Sequence, residues 1–250
     1  MARGQRLDQL LVARGLAPSR SRAQALILAG LVLVDGRPAG KAGQAVDPGA
    51  VLEVTGPEHP YVSRGGVKLA GALDHFGLEV AGLDCLDVGA STGGFTDCLL
   101  QRGAASVTCI DVGYGQLAWK LRNDPRVTLH ERTNARNLPP ELAPGPFGLI
   151  VADVSFISLT LVLPRLAPRL GEGGWLLPMV KPQFEAGREA VGPGGVVRDP
   201  QAQQAAVDKV AACLQELGLV VSGAAPSPLK GPKGNQEFFL LARKPARGGG

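Results

Sequence analysis

The sequence has few of the residues that mark disulfide-bonded, metal-binding or membrane proteins. Its 250 residues include only four cysteines and three histidines. The cysteines stand singly in apolar stretches, without a C-x-x-C pair or a histidine at metal-ligand spacing, which favours small buried side chains. No apolar run approaches the roughly 18 residues of a membrane span, and the first residues lack the apolar segment of a signal peptide. We therefore expect a cytoplasmic protein with no metal and no membrane partner.

Two glycine motifs that bind phosphate are also missing. The glycine-rich segment LDVGASTGGFTD has the spacing G-x-x-x-G-G, not the dinucleotide pattern G-x-G-x-x-G. No glycine loop ends in G-K-S or G-K-T. The sequence thus excludes both the dinucleotide fingerprint and the P-loop.

What is present indicates a globular α/β protein of two domains. Hydrophobic residues make up 45% of the chain and charged residues 19%, enough apolar surface for a core. Strand patterns at CLDVG, SVTCIDV, GLIVADV and WLLPMVK alternate with helical stretches, which is typical of a mostly parallel sheet covered by helices. We predict an N-terminal domain over 1–58, a linker over 59–62, an α/β domain over 63–245 and a disordered tail over 246–250.

The positive charge of the chain is concentrated at its start. Residues 1–41 hold seven Lys or Arg and only two Asp, whereas the whole chain carries a net charge of +4. Such a patch attracts polyanions, and a solvated charged face is the alternative. Helical patterns in RLDQLLVARG and SRAQALILA precede the strand LVLV, the turn Asp35-Gly36 and the strand AVLEV, so Arg20 and Arg22 fall at a helix N-terminus, which favours phosphate.

This small α+β unit, over about residues 5–54, resembles the alpha-L RNA-binding module of a ribosomal protein and of pseudouridine synthases. The resemblance implies an RNA partner, and a protein-interaction module is the alternative. The candidate RNA contacts are basic residues of this region and one just beyond it: Arg3, Arg6, Arg14, Arg20, Arg22, Lys41 and Arg64.

The glycine segment and a later aspartate predict a nucleoside site. Gly89, Gly93 and Gly94 stand where a strand turns into a helix, so a ligand can approach the backbone. Asp111 ends the next strand about twenty residues on, where a carboxylate accepts hydrogen bonds from ribose hydroxyls. A nucleoside without a pyrophosphate fits best, and S-adenosylmethionine is the commonest. An ordinary glycine-rich turn is the alternative.

Two further strands end in charged residues. Asp153 follows GLIVA and Lys181 follows WLLPMV. Unpaired buried charges are very unfavourable, so two such residues at one sheet edge indicate a site, although either alone would suit an exposed strand end.

Seven segments together resemble one family over nearly the whole chain: SRGGVKLAGAL, LDVGASTGGFTD, DVGYGQLAWKLR, ERTNAR, VADVSFISL, VKPQFEAG and KGNQEFFL. The chain is similar to the TlyA family, FtsJ-like ribose methyltransferases that are also known as hemolysins. The resemblance implies a Rossmann-like S-adenosylmethionine-dependent fold and methylation of ribose 2′-hydroxyls of ribosomal RNA in ribosomal subunits. A non-catalytic RNA-binding or ribosome-assembly factor and a membrane-lytic protein are the alternatives.

The same resemblance implies the site residues. The family's Lys-Asp-Lys-Glu tetrad falls on Lys68, Asp153, Lys181 and Glu237. The predicted cofactor contacts are Gly89, Ser91, Gly93, Gly94, Phe95, Asp111, Asn134 and Asp153, with Asn134 beside the adenine.

A ribose hydroxyl is a weak nucleophile, so a base must take its proton during the attack. We assign this role to Lys181, with Lys68 beside it as the second cation and the two carboxylates orienting the lysines. A lysine becomes a base when burial and a neighbouring cation lower its pKa from about 10.4. Trp119 is predicted to pack in the core or to border the cofactor pocket.

Overall fold

The computed structural model describes residues 4–17, 19–28, 30–55, 59–231 and 233–246. Arg3 and residues 247–250 of the predicted tail therefore lie outside the described residues. The chain divides into two compact units, Met1–Pro60 and Tyr61–Gly250.

In its described residues the N-terminal unit contains two helices and five short strands. They are β1 Gln5–Arg6, α1 Leu7–Ala13, α2 Arg20–Leu28, β2 Val32–Val34, β3 Arg37–Pro38, β4 Ala45–Val46 and β5 Leu52–Val54. β1 pairs with β4, and β2 lies between β3 and β5, all antiparallel. The core is built from the apolar faces of both helices and from the strands, including Leu7, Leu11, Ile27 and Val32.

The two helices, the strand LVLV and the strand ending at Val54 confirm the prediction for this unit. Asp35 and Gly36 have φ values of 48° and 74°, as a two-residue hairpin turn with both residues in the left-handed region requires. The pair β1–β4 and the strand β3 were not predicted, because strands of two residues carry no alternating pattern.

The second unit is an α/β domain. Its strands are β6 Asp84–Val88, β7 Ser106–Ile110, β8 Val127–His130, β9 Phe147–Ala152, β10 Leu170–Val180, β11 Val220–Pro226 and β12 Phe238–Arg243. Its α-helices are α3 Arg64–Phe76, α4 Gly94–Gln101, α5 Trp119–Arg122, α6 Leu163–Leu166, α7 Pro182–Glu185 and α8 Pro200–Glu216. Its short 3-10 helices are Ala135–Asn137, Pro140–Leu142, Leu159–Leu161, Ala167–Arg169, Arg188–Ala190 and Pro193–Gly195.

These strands form one sheet in the order β11-β12-β10-β9-β6-β7-β8. The five strands from β8 to β10 across the sheet are parallel, and β12 and β11 are antiparallel additions. The mostly parallel sheet is thus confirmed. Helix α8 begins at Pro200 and is capped by Asp199, whose side chain accepts from Gln201 N.

Alternate residues of each strand pack into cores on opposite faces of the sheet. Ile150 of β9 belongs to the core that includes Val210 of α8. Its neighbour Leu149 belongs to the core that includes Leu73 of α3 and Leu99 of α4. Helices therefore cover both faces and leave the ends of the strands for function.

The cysteines are packing residues, as predicted. Cys85, Cys98 and Cys109 are buried and Cys213 is half-buried. Burial raises the pKa of Cys85 to about 12 and that of Cys98 to about 11, so neither thiol is a thiolate near neutral pH.

Candidate active site

Four of the predicted site residues lie at the carboxyl ends of the parallel strands. Gly89 follows β6, Asp111 follows β7, Asp153 follows β9 and Lys181 follows β10. The strand order reverses between β6 and β9, and open α/β sheets bind ligands at such a point. Asp153 N donates to Val88 O at 2.8 Å, so the loops after these two strands leave the sheet side by side.

A first cavity, of about 350 Å³, opens at this edge. It is lined by Val88, Gly89, Ser91, Ile110, Asp111, Val112, Gln116, Thr133, Asn134, Ala135, Asp153, Val154, Ser155, Phe156, Ile157 and Val162. Among these described lining residues there are two carboxylates and no lysine or arginine. The first cavity therefore suits a neutral or cationic ligand with an apolar part and disfavours phosphate.

Asp111 organises the loops around the first cavity. Its Oδ2 accepts from Ser91 N at 2.7 Å and its Oδ1 accepts from Gly113 N at 2.6 Å. Each carboxylate oxygen has two lone pairs, so both retain an acceptor site for a ligand hydroxyl.

Gly89 admits no other residue without a shift of the backbone. Its φ is +87°, and a Cβ at this position would collide with the carbonyl oxygen of Asp153. Gly89 lets the loops after β6 and β9 lie in contact beside the first cavity.

Gly93, Gly94 and Phe95 do not line the first cavity, although the sequence placed them at the cofactor. A Cβ on Gly93 would overlap Leu121, and one on Gly94 would overlap Ser63 Oγ. Phe95 is buried in the core, and its ring centroid lies 6.0 Å from that of Phe239. These three residues pack helix α4 against its neighbours. That these three residues contact the cofactor stays a prediction, and none of them lines the first cavity.

Asn134, a predicted cofactor contact, lines the first cavity. Its Oδ1 accepts from Arg136 N at 2.9 Å, which caps the 3-10 helix Ala135–Asn137. The amide nitrogen makes no hydrogen bond among the described residues, so it can donate to a ligand.

A second cavity, of about 340 Å³, adjoins the first. It is lined by Ser155, Phe156, Lys181, Gln183, Phe184, Val191, Gly195, Gly231, Lys233, Asn235 and Glu237. Ser155 and Phe156 belong to the walls of both cavities. A ligand in each would meet at these two residues.

The four predicted catalytic residues form two ion pairs. Lys181 Nζ lies 2.5 Å from Asp153 Oδ1 and donates to Ser155 Oγ at 2.7 Å. Lys68 Nζ donates to Glu237 Oε2 at 2.5 Å. Lys68, Lys181 and Glu237 are buried, so each charge has its partner where water has little access. The first pair spans the two cavities, because Asp153 lines the first and Lys181 the second.

Sequence reasoning missed Phe156. It has a φ of +64° and is 91% exposed, and its ring lies 5.2 Å from that of Phe184. A bulky residue in the left-handed region is rare and strained, and such strain tends to be kept where it serves a function. The sequence signal was only an apolar residue in a loop otherwise expected to be polar.

Glu185 was missed as well, and it anchors the loop that carries Phe156. Its buried carboxylate accepts from Leu159 N at 2.6 Å and from Ser158 Oγ at 2.5 Å. Lys209 Nζ lies 3.5 Å from it and donates to its main-chain carbonyl. Glu185 therefore ties helix α7 to the end of the loop after β9.

Asp87 is a buried carboxyl beneath the glycine segment. Its Oδ2 accepts from Thr96 Oγ1 at 2.6 Å, while its Oδ1 accepts no hydrogen bond among the described residues. Burial is the main cause that raises the pKa of Asp87 to about 7; the hydrogen bond from Thr96 opposes this rise, and the negative charges of Asp153 and Asp111 add to it.

The predicted RNA-contact residues differ in whether their side chains are bound by other residues of the chain. Asp8 is buried and accepts from Arg6, Arg20 and Gln24, and the hydrogen bonds from Arg6 hold the pKa of Asp8 well below its usual range. Arg14 donates to the carbonyl oxygens of Ala50 and Pro48.

Arg22 and Lys41 are exposed, and among the described residues their side chains make no ion pair. Arg64 starts helix α3 in the second unit and donates to Lys230 O at 3.3 Å. Arg6, Arg14 and Arg20 thus stabilise the N-terminal unit, whereas Arg22 and Lys41 keep their charge free for a polyanion.

Trp119 does not pack in the core, contrary to the prediction. It is 76% exposed, because Leu121 takes the buried position in helix α5 and Leu117, just before the helix, is buried as well. It is also absent from the lining of both cavities.

No helix in the described part of the chain is long and apolar enough to cross a membrane. The same residues contain no group of three or more His, Cys, Asp or Glu side chains that could hold a metal ion.

Two family models match the chain in the order of its two units. The S4 domain matches residues 5–52, and the FtsJ-like methyltransferase matches residues 61–244. The second match covers most of the chain.

Characterised and solved relatives extend over both units. The 16S/23S rRNA (cytidine-2′-O)-methyltransferase TlyA of Mycobacterium tuberculosis is 57% identical and covers 97% of this chain and 91% of its own length. Hemolysin A of Brachyspira hyodysenteriae is 41% identical, over 94% of this chain and 98% of its own. A solved structure from Streptococcus thermophilus is 42% identical, with a TM-score of 0.75, over 98% of this chain and 90% of that one.

Proposed function

The chain belongs to the FtsJ-like methyltransferase family, and on that premise we propose that it transfers a methyl group from S-adenosylmethionine to ribose 2′-hydroxyls of ribosomal RNA in ribosomal subunits. The name of the M. tuberculosis relative supports this acceptor. The S4 match of the N-terminal unit supports an RNA substrate.

The first cavity fits S-adenosylmethionine by its donor set. Asp111 offers free acceptor sites for the ribose hydroxyls, and Asn134 offers an amide for the adenine edge. Val112 and Ile157 supply apolar wall for a ring. The two carboxylates of the lining suit the positively charged sulfonium and amino groups of S-adenosylmethionine. Nucleotides that carry phosphate lack these positive charges.

The second cavity fits the acceptor nucleotide. It has two aromatic rings in contact, Phe156 and Phe184, whose planes are tilted by 50°, and the cation of Lys233. Enzymes that act on one nucleotide bring it out of its stack into such a pocket, where aromatic side chains hold the base.

One observation carries the proposal: the Lys181–Asp153 ion pair joins the two cavities. Lys181 lies on the acceptor side and takes the proton of the 2′-hydroxyl as the oxygen attacks. Asp153 and Ser155 orient the side-chain nitrogen of Lys181, which accepts the proton as the neutral amine, and Glu237 pairs with Lys68. When bound, S-adenosylmethionine supplies the electrophilic methyl group.

The test is transfer of radiolabelled methyl groups to unmodified ribosomal subunits by the native protein and by Lys181→Arg. Arginine keeps the positive charge beside Asp153 but cannot act as a base. We expect the variant to lose at least about 100-fold in rate, the scale of general base catalysis, while its affinity for S-adenosylmethionine is unchanged.

Lys120→Arg is the matched control, because Lys120 also pairs with a carboxylate, that of Asp97, but lies outside both cavity walls. The label must survive alkaline cleavage as a protected dinucleotide, which places it on the ribose. A Lys181→Arg protein with the native rate would refute the base, and an unlabelled RNA would refute the reaction.

A further inference from the structure

We propose that the side-chain amide of Gln183 reads the base of the acceptor nucleotide and selects cytidine by the exocyclic amino group of its ring. This inference rests on the proposed function, because it concerns the second cavity as the acceptor site.

Gln183, in the wall of that cavity, has an unused acceptor. Its Oε1 is buried and accepts no hydrogen bond among the described residues, and the residue lines the second cavity. A buried polar atom without a partner destabilises a protein, so such atoms in native structures call for a ligand or water. Gln183 therefore brings to the wall of the second cavity an acceptor that a ligand donor would satisfy.

The neighbours of Gln183 indicate which part of the ligand carries that donor. Lys181, two residues before it, is the proposed base at the ribose, and Phe184, directly after it, contacts the ring of Phe156 at a tilt of 50°. The Cα atoms of residues two positions apart lie at most about 7 Å from each other, so Lys181 and Gln183 enter the wall of the second cavity from neighbouring points of the chain. In this inference the base lies against one ring of the aromatic pair, and Gln183 faces the edge of the base.

The free acceptor distinguishes pyrimidines by one group. Cytosine carries an amino donor at the position where uracil carries a carbonyl acceptor. With cytosine, Oε1 gains its missing hydrogen bond, whereas with uracil two acceptors face each other. Sites built to hydrogen-bond a substrate group discriminate strongly against analogues that lack it.

The test compares ribosomal subunits that carry cytidine, uridine or the amino-free pyrimidin-2-one riboside at the methylated position. The native protein should prefer cytidine by about tenfold or more in kcat/KM over both analogues, as expected for one buried hydrogen bond. Gln183→Leu should methylate all three at similar low rates, with unchanged affinity for S-adenosylmethionine.

Two further variants keep the result interpretable. Gln183→Glu retains an acceptor and should retain the preference for cytidine even if its rate falls. Gln215→Leu makes the same substitution at an exposed position of helix α8 and should behave as the native protein. Equal use of the three substrates by the native protein, or an undiminished preference in Gln183→Leu, would overturn the assignment. If the ribose is methylated equally whatever the base, only this inference is refuted. If no ribose is methylated at all, the proposed function is refuted.

Discussion

Asp87 shows how a residue outside the cavity walls affects the site region. It lies beneath the glycine segment with one oxygen unpaired, and burial keeps its pKa near 7, about three units above an ordinary aspartate. Between about pH 4 and pH 7, the carboxyl group of Asp87 is thus protonated in the folded state and ionised in the unfolded state.

We expect the stability contribution of Asp87 to fall as pH rises through this window, by on the order of 4 kcal/mol. Asp87→Asn should lack this fall, so its stability relative to the native protein should rise between pH 5 and pH 8. Urea denaturation at both pH values measures the difference. Asp84→Asn, at the exposed start of the same strand, is the control, and parallel pH profiles for native and Asp87→Asn would contradict the prediction.

Gly89 gives a second prediction for a single residue. Gly89→Ala should lower stability by more than about 2 kcal/mol and weaken binding of S-adenosylmethionine, because both the positive φ and the carbonyl of Asp153 oppose a Cβ. Gly218 has a φ of +78° with no atom within 4 Å of its virtual Cβ, so Gly218→Ala isolates the backbone term of about 1 kcal/mol. Calorimetric unfolding and titration of both variants test this. Equal losses in the two would show that the contact with Asp153 is unimportant.

At the residue scale, charged residues at strand ends could be predicted from the sequence, whereas contacts between residues far apart in the chain could not. Asp153 and Lys181 were predicted from the strand pattern alone and form an ion pair. Lys68 and Glu237 lie 169 residues apart in sequence, and no local pattern joins them, so only the family resemblance proposed them. The motif also could not separate glycines that approach a ligand from Gly93, which approaches a helix.

At the element scale, the loop after β9 depends on helix α7. Glu185 of α7 satisfies Leu159 N, and the loop in turn holds Phe156 between the two cavities. Sequence patterns predict strands and helices by periodicity, which an irregular loop lacks. The four-residue strand β8 was missed for a related reason, since alternation is hard to detect over so few positions.

Glu185→Ala should therefore loosen this loop. Removing the carboxylate leaves Leu159 N without its partner, a loss of about 1–3 kcal/mol. Hydrogen exchange over residues 153–159 should become faster, while exchange in β6 stays slow. Glu79→Ala, at an exposed position before β6, is the control. Unchanged exchange in the loop would show that Glu185 does not hold it.

At the scale of the whole molecule, the two units have separate cores. The second unit contains both cavities and all four catalytic candidates. The N-terminal unit contributes the exposed cations Arg22 and Lys41 and the S4 match, which suits phosphate contacts that position RNA without reading its bases.

Deletion of residues 1–60 should accordingly spare binding of S-adenosylmethionine and abolish methylation of ribosomal subunits. Titration calorimetry and methyl transfer measure the two effects on one preparation. If both are lost while the fragment is still folded by circular dichroism, the cofactor site itself depends on the N-terminal unit.

The wall that the two cavities share has a thermodynamic consequence. Ser155 and Phe156 touch whatever occupies either side, so a ligand that orders them for one cavity removes part of the ordering entropy that the other ligand must overcome. We therefore expect binding of donor and acceptor to be cooperative, and the factor by which each strengthens the other must then be the same. Once the methyl group has moved, loss of either product weakens the hold on its neighbour, and departure of the first speeds departure of the second.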